Sequence, residues 1–187
     1  MTVEAGTEDR VAAGPAGRRA RTAAPGAKPR HLFYPSQWQN IEERLDSDTD
    51  PNCQYVWGQR YIDDLILRDR DTDSNGTLDE RIYSLQDGNW NAIAEIATGS
   101  VCQRMNYSPN GVPSFFAPNW EPGINTSSAN FLFSGYYYEL ATGAYQIRHR
   151  VFSPTLGAWI QRDPLGYTGS HSLLSLGNSI SGLDPFG

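Results

Sequence analysis

Nine consecutive residues, Asp71-Thr72-Asp73-Ser74-Asn75-Gly76-Thr77-Leu78-Asp79, have the clearest spacing for chemistry in this 187-residue sequence. Oxygen-bearing side chains alternate at Asp71, Asp73 and Asn75, and Gly76 permits a sharp bend. With Asp79 and the Thr77 carbonyl they fit the opening of an oxygen-ligand calcium loop. A complete EF-hand loop needs a bidentate Glu at its twelfth position. That position is Ile82 here, Glu80 falls two residues early, and the flanks read as strands. The pattern therefore predicts a calcium-stabilised hairpin loop with Asp71, Asp73, Asn75, Thr77 and Asp79 as ligands. The competing reading is an acidic Asn-Gly turn that joins two strands.

The other reactive side chains are scattered. His31, His149 and His171 have no partner at ligand spacing, and His149 is expected to pack on an apolar strand face. Cys53 and Cys102 make neither a disulfide framework nor a metal site; a single bridge is open, and two unrelated thiols are the favoured reading. No phosphate-binding glycine loop, Gly-x-Ser-x-Gly elbow or Cys-His arrangement occurs. The aromatic run over 131–138 could stack on a ligand, but a buried strand explains it more simply. Asp163-Pro164 and Asp184-Pro185 read, by spacing alone, as turns.

The composition must position these groups on strands. Ten Tyr, seven Phe and five Trp stand beside 18 Gly and 12 Pro, the mix of a strand-and-turn protein. A net charge of -6 and a pI near 5.0 argue against a general nucleic-acid binder. No apolar run is long enough to span a bilayer. Residues 1–30 are rich in Ala, Gly, Pro and Arg and read as a disordered tail, in which Arg18-Arg19-Ala20-Arg21 is a solvated basic run. No secretory signal is recognisable there. Localisation stays open between the cytoplasm, another export route and a missing true start.

From His31 onward, aromatic-rich segments over 31–44, 55–68, 78–96, 101–116, 131–140 and 144–152 alternate with turn clusters. That alternation predicts an all-β, antiparallel meander. Tyr145, Ile147, His149 and Val151 are expected on one strand face, with Gln146, Arg148 and Arg150 on the other. Trp90, Ala92, Ala94 and Ile96 share a second face. Trp38, Ile41 and Leu45 recur at helical spacing behind Ser36, a candidate cap, and local reasoning alone predicts a short helix over 37–45.

An ordered set of motifs then carries a resemblance. Gln54-Tyr55-Val56-Trp57-Gly58, Tyr61-Ile62-Asp63-Asp64-Leu65 and Arg68-Asp69-Arg70-Asp71 look like strands of YD-repeat proteins. Gln103-Arg104-Met105-Asn106-Tyr107-Ser108-Pro109-Asn110-Gly111 is similar to the repeat signature, with Ser108 where an Asp is usual. Ser134-Gly135-Tyr136-Tyr137-Tyr138, then 142–166 with Asp163-Pro164-Leu165-Gly166, then Gly177-Asn178 and Asp184-Pro185-Phe186-Gly187, follow the order of the Rhs repeat-associated core. The chain thus resembles the carboxyl-terminal part of an Rhs/YD-repeat protein. The implied division is a tail over 1–30, degenerate repeat strands over 31–133 and the core over 134–187.

The resemblance implies a spiral β-shell closed by a loop-rich plug, and it favours a strand over a helix at 37–45. It implies polymorphic-toxin biology, with other YD-repeat segments or a nearby toxin and immunity system as partners, and a secreted or cell-surface location. It also implies an aspartic-protease-like centre that cuts beyond the terminal motif, with Asp163 and Asp184 as the pair and Arg162 as a neighbouring basic residue that biases one of them toward its charged form. Two close carboxylates share one proton, so one activates water while the other polarises the carbonyl. The sequence ends at Gly187, so the expectation is a truncated or decayed end piece with no cargo and no scissile bond. A self-cleaving aspartyl module and a calcium-stabilised cell-surface binding module are the alternatives.

Overall fold

Most of the aromatic-rich segments resolve into two strands around a corner. The computed structural model describes residues 17–21, 28–35 and 38–161, and they are almost entirely β. The chain divides into two compact units, one from Met1–Tyr55 and Asp69–Asp79, the other from Val56–Arg68 and Glu80–Gly187. Among the described residues no helix is long and apolar enough to cross a membrane.

In the first unit, β1 (Gly17–Arg21), β2 (Arg30–Tyr34), β3 (Glu42–Leu45) and the start of β4 (Cys53–Trp57) pair antiparallel in sequence order. The register sets Leu32 opposite Glu43, and Glu43 opposite Cys53, so all three fall on one buried face. Glu43 is wholly buried yet fully satisfied. It accepts from Arg30 Nη1 (2.9 Å), Asn40 Nδ2 (3.1 Å) and Tyr55 Oη (2.8 Å).

One expectation is sharpened and one changes in this unit. Within the N-terminal segment, Gly17–Arg21 pairs antiparallel with β2, since pairing with an edge strand needs only backbone donors and acceptors. The short helix suggested by the 38/41/45 spacing is absent, as the resemblance implied. Trp38 takes φ 62°, and strand β3 begins at Glu42.

The second unit holds the C-terminal part of β4, most of β5 (Leu65–Arg70), and a meander of β6 (Glu80–Gln86), β7 (Ala92–Ala97), β8 (Ser100–Tyr107), β9 (Pro113–Phe116) and β10 (Pro122–Gly123). A four-stranded sheet follows: β11 (Tyr137–Glu139), β12 (Ala144–Ile147), β13 (Arg150–Ser153) and β14 (Ala158–Trp159). Its buried face supplies Tyr145, Ile147, Phe152 and Trp159 to a core that also takes Ala92, Met105, Leu132 and Tyr136.

Three hairpin corners of the meander share one design. Asp87, Ser108 and Ala117 each accept, at the backbone carbonyl, the N–H three residues on (Trp90 3.1 Å, Gly111 2.9 Å, Trp120 3.0 Å). Each donates its own N–H to the carbonyl four residues on (Asn91 3.0 Å, Val112 3.0 Å, Glu121 2.8 Å). The fourth residue of each corner is left-handed: φ 63° at Trp90, 86° at Gly111 and 70° at Trp120. This is the three-residue hairpin loop with a left-handed bulge position. Ser108 Oγ accepts the Val112 N–H (3.0 Å) as Asp87 Oδ1 accepts the Asn91 N–H (3.0 Å), so serine does the work of the usual aspartate.

The run over 145–151 is not one strand. Ile147 pairs with Arg150 across a two-residue turn, with Arg148 at φ 37°. The turn resets the faces, so Arg150 and Phe152 are buried after it while Val151 is only half-buried. His149 sits exposed in that turn, not on an apolar face. The run over 131–138 is largely buried, as expected, but it is folded as a bridge at Phe131, a tight turn Phe133–Gly135 and strand β11.

Candidate functional sites

The acidic nonapeptide lies wholly in the first unit and links β5 to β6. Its carboxylates take backbone and side-chain donors. Asp71 Oδ1 accepts N–H groups from Ser74 (2.6 Å), Asp73 (3.2 Å) and Asn75 (3.3 Å), and Oδ2 accepts Gly76 N–H (2.8 Å). Asp79 accepts the Thr72 N–H (2.9 Å) and hydroxyl (2.6 Å). Asp73 accepts from Asn75, at its backbone N–H (3.2 Å) and at Nδ2 (3.1 Å). Asn75 Oδ1 in turn accepts Thr77 N–H (2.7 Å).

Burial alone would raise the Asp71 carboxyl, but the donors from Gly76, Ser74 and Asn75 outweigh it and hold it below the ordinary range. The Thr72 hydroxyl and N–H do the same for Asp79. Gly76 has φ 85°, and a Cβ there would stand 3.2 Å from Asp50 Oδ2. Among the described residues no three His, Cys, Asp or Glu side chains converge as a metal centre would require. The loop is an anion-centred nest of N–H donors around Asp71. Asp163, Asp184 and Arg162 lie outside the described residues. Cys53 is buried and Cys102 half-buried, and no disulfide joins them.

The second unit contains a polar junction that the motifs did not single out. Asp63 is 7% exposed. Its Oδ1 accepts Arg148 Nη2 at 2.6 Å, while its Oδ2 is buried without a hydrogen-bond partner among the described residues. Burial pushes its carboxyl up to about 6, and the Arg148 guanidinium offsets only part of that. The Asp63 carbonyl accepts Gln86 Nε2 (3.1 Å), which also donates to the Trp90 carbonyl (3.1 Å). A Cβ at Gly135 would lie 2.5 Å from that same Asp63 carbonyl oxygen.

Tyr61 stacks on Trp90 with centroids 5.0 Å apart and planes 15° apart, and Arg60 lies 5.3 Å over the same indole. Arg60 holds Asp64 through two parallel bonds of 2.9 and 2.7 Å. One loop, 58–64, is thus fastened to the β6–β7 corner, the Phe133–Gly135 turn and the β12–β13 turn. The one visible signal was the adjacent Asp63-Asp64 ahead of an apolar run. The partners, 85 residues away for Arg148, left no local mark.

A second buried pair holds the segment after β10. Arg68 Nη2 meets Glu95 Oε2 at 3.2 Å, and the same guanidinium donates to the carbonyls of Ser127 and Ser128. Gln103 Oε1 accepts Thr126 N–H (2.7 Å) and hydroxyl (2.8 Å). Both clusters do positioning work: buried charge is paired, and backbone groups away from strands find partners.

No family model matches the sequence, and no curated protein does. Solved structures do match in fold. The TcdB2-TccC3-TEV crystal structure superposes with a TM-score of 0.66 over 100% of this chain at 19% identity. The Photorhabdus luminescens Tc holotoxin pore with a substituted TccC3 gives 0.64 over 99% at 18% identity. The TcdB2-TccC3 crystal structure gives 0.62 over 90% at 19% identity. This chain spans only 8–9% of the length of those chains. At such identity the likeness shows a shared fold over a short stretch of those proteins.

Proposed function

We propose that the chain is a structural segment of an Rhs/YD-repeat shell of the polymorphic-toxin kind, with its carboxyl-terminal part in the plug. The observation that carries this is the meander itself. It repeats one hairpin corner three times, and the whole chain follows a stretch of toxin-complex proteins of the Rhs/YD-repeat type. The buried ion pairs described above fasten strands, loops and turns to one another, which is the chemistry of a wall rather than of a turnover site.

The expected partners are further YD-repeat segments. Co-expression with YD-repeat segments encoded beside this chain should yield a co-purifying complex in which amides over 119–126, around β10, gain hydrogen-exchange protection. A chain that stays monomeric with those amides unchanged would argue against the shell reading.

The Asp163, Asp184 and Arg162 set supports a processing role within the same reading, on the strength of its place in the ordered motifs from 134 to 187. A short peptide tag appended after Gly187 tests it. Release of the tag that stops in Asp184→Asn demonstrates a working aspartyl pair; an uncut tag leaves the segment purely structural.

A further inference from the structure

We infer that Asn75 is a self-modification site: the loop is arranged to convert its carboxamide, through a cyclic succinimide with Gly76, into aspartate and isoaspartate. The reaction needs a nucleophile, a base for its proton and a donor for the oxygen that gains charge. All three are present in the loop at Asn75.

The nucleophile is the Gly76 backbone nitrogen. Its N–H already donates to Asp71 Oδ2 at 2.8 Å, so a carboxylate is seated on the proton that must leave. The oxygen that becomes anionic is Asn75 Oδ1, and it already accepts Thr77 N–H at 2.7 Å, an oxyanion-type contact made in the ground state. The base is fixed by the N–H groups of Ser74 and Asn75, and no side chain at Gly76 obstructs the approach. Asn75 and Gly76 are both exposed, so water reaches the site.

The atoms balance without any oxidant or reductant. The Gly76 N to Asn75 Cγ bond forms while its proton passes to Asp71. The Cγ–Nδ2 bond then breaks, and ammonia leaves with a proton relayed through water. Water next opens the ring at either carbonyl, giving aspartate or isoaspartate at that position. The advantage of Asp71 rests on its fixed position at the Gly76 N–H.

The test holds the full chain at neutral pH, folded and separately unfolded in denaturant, and mass-maps the tryptic peptide 71–81. Faster loss of ammonia and gain of water in the folded chain is the expected result, with no conversion of that peptide in Asn75→Gln. In Asp71→Asn the folded rate should fall to the unfolded rate. A pH series covers the case in which that variant disturbs the loop. The unfolded chain relies on hydroxide and slows roughly tenfold per pH unit, while the folded chain with its own carboxylate slows less. Slower conversion in the folded chain, or the same pH dependence in both states, overturns the inference and makes the nest a protecting device.

Discussion

Asp63 shows how one atom's surroundings set a measurable property. Its ionised form is disfavoured by burial more than Arg148 favours it, so its folded pKa stands near 6, above the ordinary 3.8. A raised folded value means that the protonated group supports the fold. That support is complete below about pH 4 and is lost as pH rises through about 6, to the extent of about 3 kcal/mol. Denaturant unfolding followed from pH 4 to 7 should show this slope, and Asp63→Asn should flatten it. Asp71 and Asp79 work in the opposite sense. Their folded values are depressed, so their contribution is present above the ordinary range and fades only as pH falls through the lowered values. The two windows do not overlap, which lets a single pH series separate them.

Gly111 is a second residue-scale case. It has φ 86°, and a Cβ there would lie 2.7 Å from the Phe133 ring, while its carbonyl accepts the buried Tyr145 hydroxyl at 2.8 Å. Gly111→Ala combines a left-handed penalty with overpacking, and chemical denaturation should register a loss of about 2–4 kcal/mol.

At the scale of the element, the hairpin corners explain why tryptophan can occupy a position that favours glycine. A left-handed non-glycine residue costs about 1–2 kcal/mol. Trp90 offsets this through its stack on Tyr61 and the guanidinium of Arg60. Trp120 is mostly exposed, tilts against Phe116 at 5.7 Å and meets Arg104 at 4.8 Å. Trp120→Gly should therefore leave the melting temperature almost unchanged, while Trp90→Gly should lower stability by about 1–2 kcal/mol. Equal losses for the two variants would contradict this account.

The 71–79 loop belongs to the same scale. Its carboxylates already accept eight hydrogen bonds, from the N–H groups of Thr72, Asp73, Ser74, Asn75 and Gly76, the Thr72 hydroxyl and Asn75 Nδ2, so the turn is held together by its own donors. The expected outcome of adding millimolar calcium is an unchanged thermal transition and no titration heat.

Across the whole molecule, the sequence made the fold class legible because turn residues recur at strand-length spacing. The corners at 87–89 and 108–111 were marked by Asp-Gly-Asn and Ser-Pro-Asn-Gly. The turn at 148–149 was missed because Arg148-His149 carries no glycine, asparagine or proline, and alternation alone cannot tell one strand from two. The helical spacing of Trp38, Ile41 and Leu45 misled because Trp38 is a left-handed turn residue and only Leu45 belongs to strand β3. Of the candidate sites, the acidic loop was legible as a motif, since its residues are neighbours in sequence. The Asp63 junction was not, because its partners come from strands and turns far along the chain.

The shared corner bears on how such a chain can lengthen. Each corner is specified locally, by two backbone hydrogen bonds and one left-handed residue. Copying one strand–corner–strand unit in tandem adds an even number of strands and returns the chain running in its original direction. The inside and outside faces keep their parity, so the next strand still presents its apolar side to the core. A meander punctuated this way can grow or shrink by duplication of short stretches without any rearrangement of the remainder.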